Sequence, residues 1–121
     1  MSKISAAVGR TGIDEKTLQG LPIGVMLFDL EKIYFANKTA ASILGLRTLP
    51  KDITKFSVFN FIEKSYHEES KSYFNKILSK KKVSRREIIL VTSKGKRILV
   101  ASETNVVVQK GKKILQCAFS E

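Results

Sequence analysis

With 121 residues, 43% of them hydrophobic and 27% charged, the chain has the length and composition of one globular domain with a real core. No apolar run approaches the roughly 20 residues of a membrane span, and MSKISAAVGRTG lacks the apolar centre of a signal peptide, so a cytoplasmic location is expected. A single cysteine rules out an internal disulfide, a single cysteine and a single histidine argue against zinc, and a net charge of +11 raises nucleic acid or an acidic surface as partners.

Residues 1–12 read as a flexible segment and 13–121 as the domain. DEKTLQG (14–20) suits a short helix with Asp14 as cap and Gly20 as stop. Gly24–Phe28 and Ile33–Ala36 read as two strands joined by the turn Asp29-Leu-Glu-Lys32. Asn37 stands where a helix N-cap is needed, KTAASILGL follows with an apolar side, and Gly45 is placed to end that helix in a left-handed conformation.

LPKDITKFSVFNFI (49–62) carries Phe56, Phe59, Phe61 and Ile62, too many large side chains for a solvent loop, and Pro50 and Ser57 suit the starts of short helical turns. Ser65–Ser79 is the clearest helix. Ser65 and Glu68 have capping-box spacing, and Tyr66, Tyr73, Phe74, Ile77 and Leu78 form its apolar stripe. Three strands follow, Glu87–Thr92, Arg97–Val108 and Ile114–Phe119, joined by the turns SKGK and QKGK. The fold class is therefore α+β, with one five-stranded antiparallel sheet, several short helices and one longer helix.

Most of the positive charge lies in SKKKVSRRE (79–87), SKGKR (93–97) and QKGKK (109–113), at a helix end and two turns. No aromatic residues interleave with it, as a single-strand stacking platform requires. It reads as solvated surface, with a basic nucleic-acid-binding or transcription-regulator module as the alternative. A nucleophile–base pair is not visible. His67 reads as a solvated residue at a helix start, and Cys117 as a small buried hydrophobe.

The ordered set LPIGVMLFD, IYFANKTAASILGL, the capped helix and the SKGKRILV hairpin resembles a PAS domain, a sensory module of signalling proteins, from about Leu18 to Glu121. The resemblance implies strand order 2-1-5-4-3 and a pocket between the sheet and the helices. It also implies that Asp29 and Asn37 shape the turn and cap the helix. Strand alternation puts Ile98, Val100, Ser102 and Thr104 on one face, which in PAS domains looks toward the pocket, with Leu115, Cys117 and Phe119. The ligand-pocket candidates are Ser102, Thr104, Val100, Leu115, Cys117, Phe59, Phe74 and Asn37. Ser102 and Thr104 are expected to bond backbone or water, or else to orient a ligand.

The opposite face is partly apolar, and Leu18, Leu99, Ala101, Val107, Ile114 and Ala118 are the candidates for a homodimer face. The cofactor is left unknown. Histidine-ligated haem is disfavoured because NKILSKKKVSRRE has no histidine, and covalent flavin because FSVFNFIEK has no cysteine. The chain stops before the helix that carries the signal onward in many PAS domains. The expectation is therefore a domain of a longer protein, with a sensor histidine kinase as the leading effector; a stand-alone PAS protein is the alternative, and a transcription regulator fits the basic charge equally well.

Overall fold

The computed structural model describes residues 19–46, 53–80 and 84–121. The expected helix at 14–20 falls largely outside them, as do Leu18, Pro50, Lys81 and Lys82. The described elements are β1 (Gly24–Phe28), β2 (Ile33–Ala36), helix α1 (Lys38–Ile43), three 3-10 turns (Ile53–Lys55, Val58–Phe61, Lys64–Tyr66), helix α2 (His67–Lys80), β3 (Ser84–Val91), β4 (Arg97–Gln109) and β5 (Lys112–Ser120). The strands form one antiparallel sheet in the order β2-β1-β5-β4-β3, as the resemblance implied. Among the described residues no helix is long and apolar enough to cross a membrane.

Asn37 joins the first three elements. Its backbone N–H donates to Val25 O at 3.0 Å. Its side-chain Oδ1 accepts from Val25 N and from Ala40 N, both at 2.9 Å, and Nδ2 donates to Ile23 O at 2.9 Å. One amide thus caps α1 and fastens the start of β1 while fully buried. At the other end of α1, Gly45 takes φ +79°. Gly45 N bonds Ser42 O and Leu46 N bonds Ala41 O, the paired bonds of a Schellman motif. The carbonyls just past α1 are then taken by the β3–β4 turn: Ser93 N donates to Leu44 O and Ser93 Oγ to Gly45 O, each at 2.8 Å. Helix α1 therefore brackets the two halves of the sheet.

The β1–β2 pairing steps from Leu27↔Phe35 to Phe28↔Ile33. Tyr34 is the extra residue of a bulge, which breaks the strand alternation. Ile33 and Ala36 pack inward, while Tyr34 and Phe35 both join the outer cluster. The β4–β5 turn has two residues, Lys110 and Gly111, at φ +51° and +77°, the positive pair that matches the twist of a tight hairpin.

Two departures from the sequence reading concern α2. Ser65 does not cap it, because a 3-10 turn over Lys64–Tyr66 runs directly into the helix. A capping box occurs instead at Ser57, whose hydroxyl accepts from Phe59 N while Asn60 Oδ1 accepts from Ser57 N. Tyr66 is exposed rather than part of the apolar stripe, and Phe74 and Ile77 carry the burial.

The inner core joins Phe28, Ile33, Leu44, Phe61, Phe74, Val100 and Leu115 with their neighbours. A second cluster of Val25, Leu27, Phe35 and Ile114 lies on the opposite face, packed by Leu21, Ile23, Tyr34 and Val107. Strands β1 and β5 are thus buried on both faces, which is why their sequences read as continuous apolar runs. Gly24 is required by this packing: a Cβ there would stand 2.8 Å from Phe119 Cζ, a ring buried to 2% exposure.

Asn37→Ala strands two N–H groups and a carbonyl, and should cost about 3 kcal/mol or more in urea unfolding. Gly24→Ala should cost about 1–3 kcal/mol by overpacking, partly recovered by Phe119→Leu in a double-mutant cycle.

Candidate functional site

The interior expected to hold a ligand is largely filled by rings. Phe28 meets Phe74 edge-on with centroids 5.2 Å apart, Phe59 meets Phe74 at 6.2 Å, and Phe56 stacks with Phe61 at 6.3 Å. Val100 and Leu115 are fully buried within this packing, and Cys117 is 6% exposed. Burial pushes the Cys117 thiol up to about 11, although a hydrogen bond with Thr104 and the Arg86 charge pull the other way. The thiol is therefore protonated at neutral pH and packs as an apolar group. Thr104 is buried beside it across the β4–β5 pairing. Ser102 donates to Arg86 O at 2.8 Å, a bond to backbone. Asn37 has its side chain committed to the fold.

Open space lies to one side of these residues. Helix α2 packs over β4 and β5, and a cavity of about 310 Å³ separates its first two turns from β3. Ile62, Ser70, Phe74 and Ile88 form its walls, with Arg86 and with the exposed Tyr66, Glu69, Glu87, Ile89 and Leu99 also lining it. Of the sequence-derived pocket candidates, Phe74 lines this cavity; the other seven do not.

Arg86 is the residue the sequence reading missed. It alternates with Ile88 and Leu90 on the inner face of β3, and the sheet is sealed at Leu90, which is 4% exposed. Its guanidinium stacks on the Tyr73 ring, with Cζ 3.4 Å from the centroid. The Tyr73 hydroxyl in turn donates to Ser84 Oγ at 2.7 Å, which holds the ring under the arginine. Arg86 Nε is buried and has no hydrogen-bond acceptor. The ion pairs found among the described residues are Arg85–Glu103, Arg97–Glu63 and Lys112–Asp29, and none includes Arg86. The signal was available: had β3 been started at Ser84 rather than Glu87, the period of two would have turned Arg86 inward.

Asp29 and His67 serve the fold. Asp29 Oδ1 accepts from the backbone of Glu31 and Lys32, and Oδ2 from Tyr34 Oη at 2.5 Å and Lys112 Nζ at 2.9 Å. Burial opposes its ionisation. The hydrogen bonds from Tyr34, Lys32, Lys112 and Glu31 outweigh that, and hold the carboxyl well below the usual carboxylate range. The hydrogen bond with Tyr34, then that with Asp29, raises Lys112 above the usual lysine range. His67 is half-buried rather than solvated, because its Nε2 bonds Ile62 O at 2.7 Å and its ring lies against Phe59.

On the outer face the dimer candidates divide. Ile114 and Ala118 are 2% and 4% exposed, so that part of the sheet is interior to the chain and not a free surface. Val107 is half-buried, and Leu99 and Ala101 are exposed. Leu99 pairs across strands with Ile89, also exposed.

The family model described as PAS domain matches residues 22–120, and the chain belongs to that family. Solved structures share the fold at low sequence identity. The PAS domain of a Desulfitobacterium hafniense protein is 13% identical with a TM-score of 0.77, covering 88% of this chain and 99% of that one. A domain of a sensory box sensor histidine kinase/response regulator from Geobacter sulfurreducens is 16% identical with a TM-score of 0.68, covering 85% and 88%. The PAS domain of nitrogen regulation protein NR(II) from Vibrio parahaemolyticus is 13% identical with a TM-score of 0.70, covering 100% and 99%. No curated protein matches the chain. PAS domains are generally non-catalytic sensory modules, and a signalling role follows for this one.

The low Asp29 pKa fixes a pH dependence. An aspartate whose folded-state pKa is depressed adds stability that is fully present above its unfolded value near 4 and is lost as pH falls through the folded value. Asp29→Asn should therefore cost about 1–3 kcal/mol at pH 7. The gap to wild type should close as pH falls below about 4, as read by urea unfolding across pH.

Proposed function

We propose that this PAS domain senses a small molecule in the cavity between α2 and β3 and passes the change to an attached effector. The observation that carries the reading is the cavity itself. The remaining interior is packed by aromatic rings, yet between helix and edge strand a space of about 310 Å³ keeps apolar walls and a few polar groups. Ligand sites commonly have that composition and, at their lower end, that size. A ligand that contacts both α2 and β3 favours the arrangement in which they approach, and so shifts the population of sheet conformations offered to the effector.

The effector class we propose is a histidine kinase in the cytoplasm. Support comes from the Geobacter sulfurreducens domain, which belongs to a sensor histidine kinase/response regulator.

Assembly is the second part of the reading, favoured by the exposed cross-strand pair Ile89–Leu99 beside the exposed Ala101. Contiguous apolar surface of this kind is commonly covered by a partner, and a homodimer through this end of the outer face is the arrangement we propose.

Native mass spectrometry of the purified domain should show a reproducible extra mass per chain that is lost on denaturation; a bare chain mass would count against an occupied cavity. Light scattering at high protein concentration should give twice the chain mass, reduced to one chain mass by Leu99→Glu. A monomer at every concentration would remove the homodimer from the reading.

A further inference from the structure

Arg86 is unusual among the described basic residues. Most of the others project into solvent, where a charge costs nothing to keep. Arg86 turns inward and keeps a buried Nε–H without an acceptor. A guanidinium cannot shed its proton at any ordinary pH. Buried donors in native proteins are nearly always paired, and an unmet one on a charged group is among the more expensive defects a fold carries.

The stack on Tyr73 does not meet that need. It occupies one face of the guanidinium plane, with Cζ 3.4 Å from the ring centroid, and leaves the edge donors unused. It does fix the plane, since Tyr73 is itself held by its bond to Ser84. The cavity walls hold two carboxylates, Glu69 and Glu87, but both are exposed and neither forms an ion pair with Arg86.

We infer that the α2–β3 cavity takes a small organic carboxylate with an apolar body, gripped by the guanidinium edge of Arg86. Two parallel N–H donors of an arginine match the two oxygens of a carboxylate, and a charge-assisted pair of that kind gives the unpaired guanidinium a counter-charge. Ser70, 5% exposed, adds a hydroxyl-bearing side chain to the wall. Ile62, Phe74 and Ile88 suit an apolar remainder. The volume of about 310 Å³ suits a molecule such as a short-chain or single-ring acid. The inference rests on the reading of this cavity as the ligand site.

The test uses benzoate, its neutral isostere benzamide and inorganic phosphate as probes, titrated into the whole chain and followed by amide NMR shifts and by melting temperature. Benzoate should shift the resonances of Ser70, Phe74 and Arg86 and raise the melting temperature. Benzamide should bind about tenfold more weakly or worse, from the loss of one charge-assisted pair. Arg86→Met removes a half-buried, unpaired charge together with its unmet Nε–H and should fold, with the preference for benzoate over benzamide abolished. Arg86→Lys keeps the charge without the fork and should weaken benzoate while leaving a residual preference. Equal binding of benzoate and benzamide, or a preference that survives Arg86→Met, would overturn the carboxylate assignment and leave the cavity as an apolar ligand site. Phosphate displacing benzoate would overturn the organic carboxylate in favour of an inorganic anion. No shift at the cavity residues with any probe would overturn the assignment and the ligand-site reading together.

Discussion

The structure depends on a single buried amide. Asn37 satisfies the N–H groups of Val25 and Ala40 and the carbonyl of Ile23 within one side chain, so that the strand β1 and the helix α1 are specified by the same residue. Neither element is stable alone, since β1 has five residues and α1 six, too short for isolated structure in water. Fastening them together converts two weak local tendencies into one unit. From that unit α1 reaches across to the β3–β4 turn, where Ser93 closes the carbonyls just past the helix.

The sheet is unequal along its width. At β1 and β5 both faces are buried, and the chain supplies Val25, Leu27, Phe35 and Ile114 on one side and Phe28, Leu115 and Phe119 on the other. Toward β4 and β3 the outer face opens to solvent; on the inner face α2 packs over β4 and β5 and reaches β3 through Tyr73, which bonds Ser84 and stacks on Arg86. The cavity sits at this transition. Large aromatic side chains pack the centre of the domain, and the cavity lies beside the rings and against the edge strand.

Charge is distributed by the same logic. Most of the +11 surplus is on turns and helix ends, where water and salt screen it, and its exposed ion pairs contribute little. Two places differ. The Asp29–Tyr34–Lys112 cluster pins the β1–β2 turn to the start of β5, with donors converging on one carboxylate. Arg86 carries the opposite arrangement, a buried donor with no acceptor. The first makes Asp29 a structural residue; the second makes the inner face of β3 the chemically distinctive part of the domain.

The local elements were legible because their causes are local. Asn37 as a cap, Gly45 as a stop, Asp29 in a turn and Gly95 and Gly111 in the hairpins each act through their own backbone neighbours, and each stands where the residue type predicts. Alternation along β4 likewise placed Ile98, Val100, Ser102 and Thr104 inward. What the tertiary structure decided was occupancy of space. The bulge at Tyr34 broke the alternation that strand reading assumes. Outward-facing Ile114 and Ala118 proved buried because packing on the second face is a property of the assembled sheet. Five phenylalanines, Phe28, Phe56, Phe59, Phe61 and Phe74, separated in sequence by as many as 46 residues (Phe28 to Phe74), meet only after folding, and the cavity beside them against β3 is a product of that packing rather than of any strand pattern.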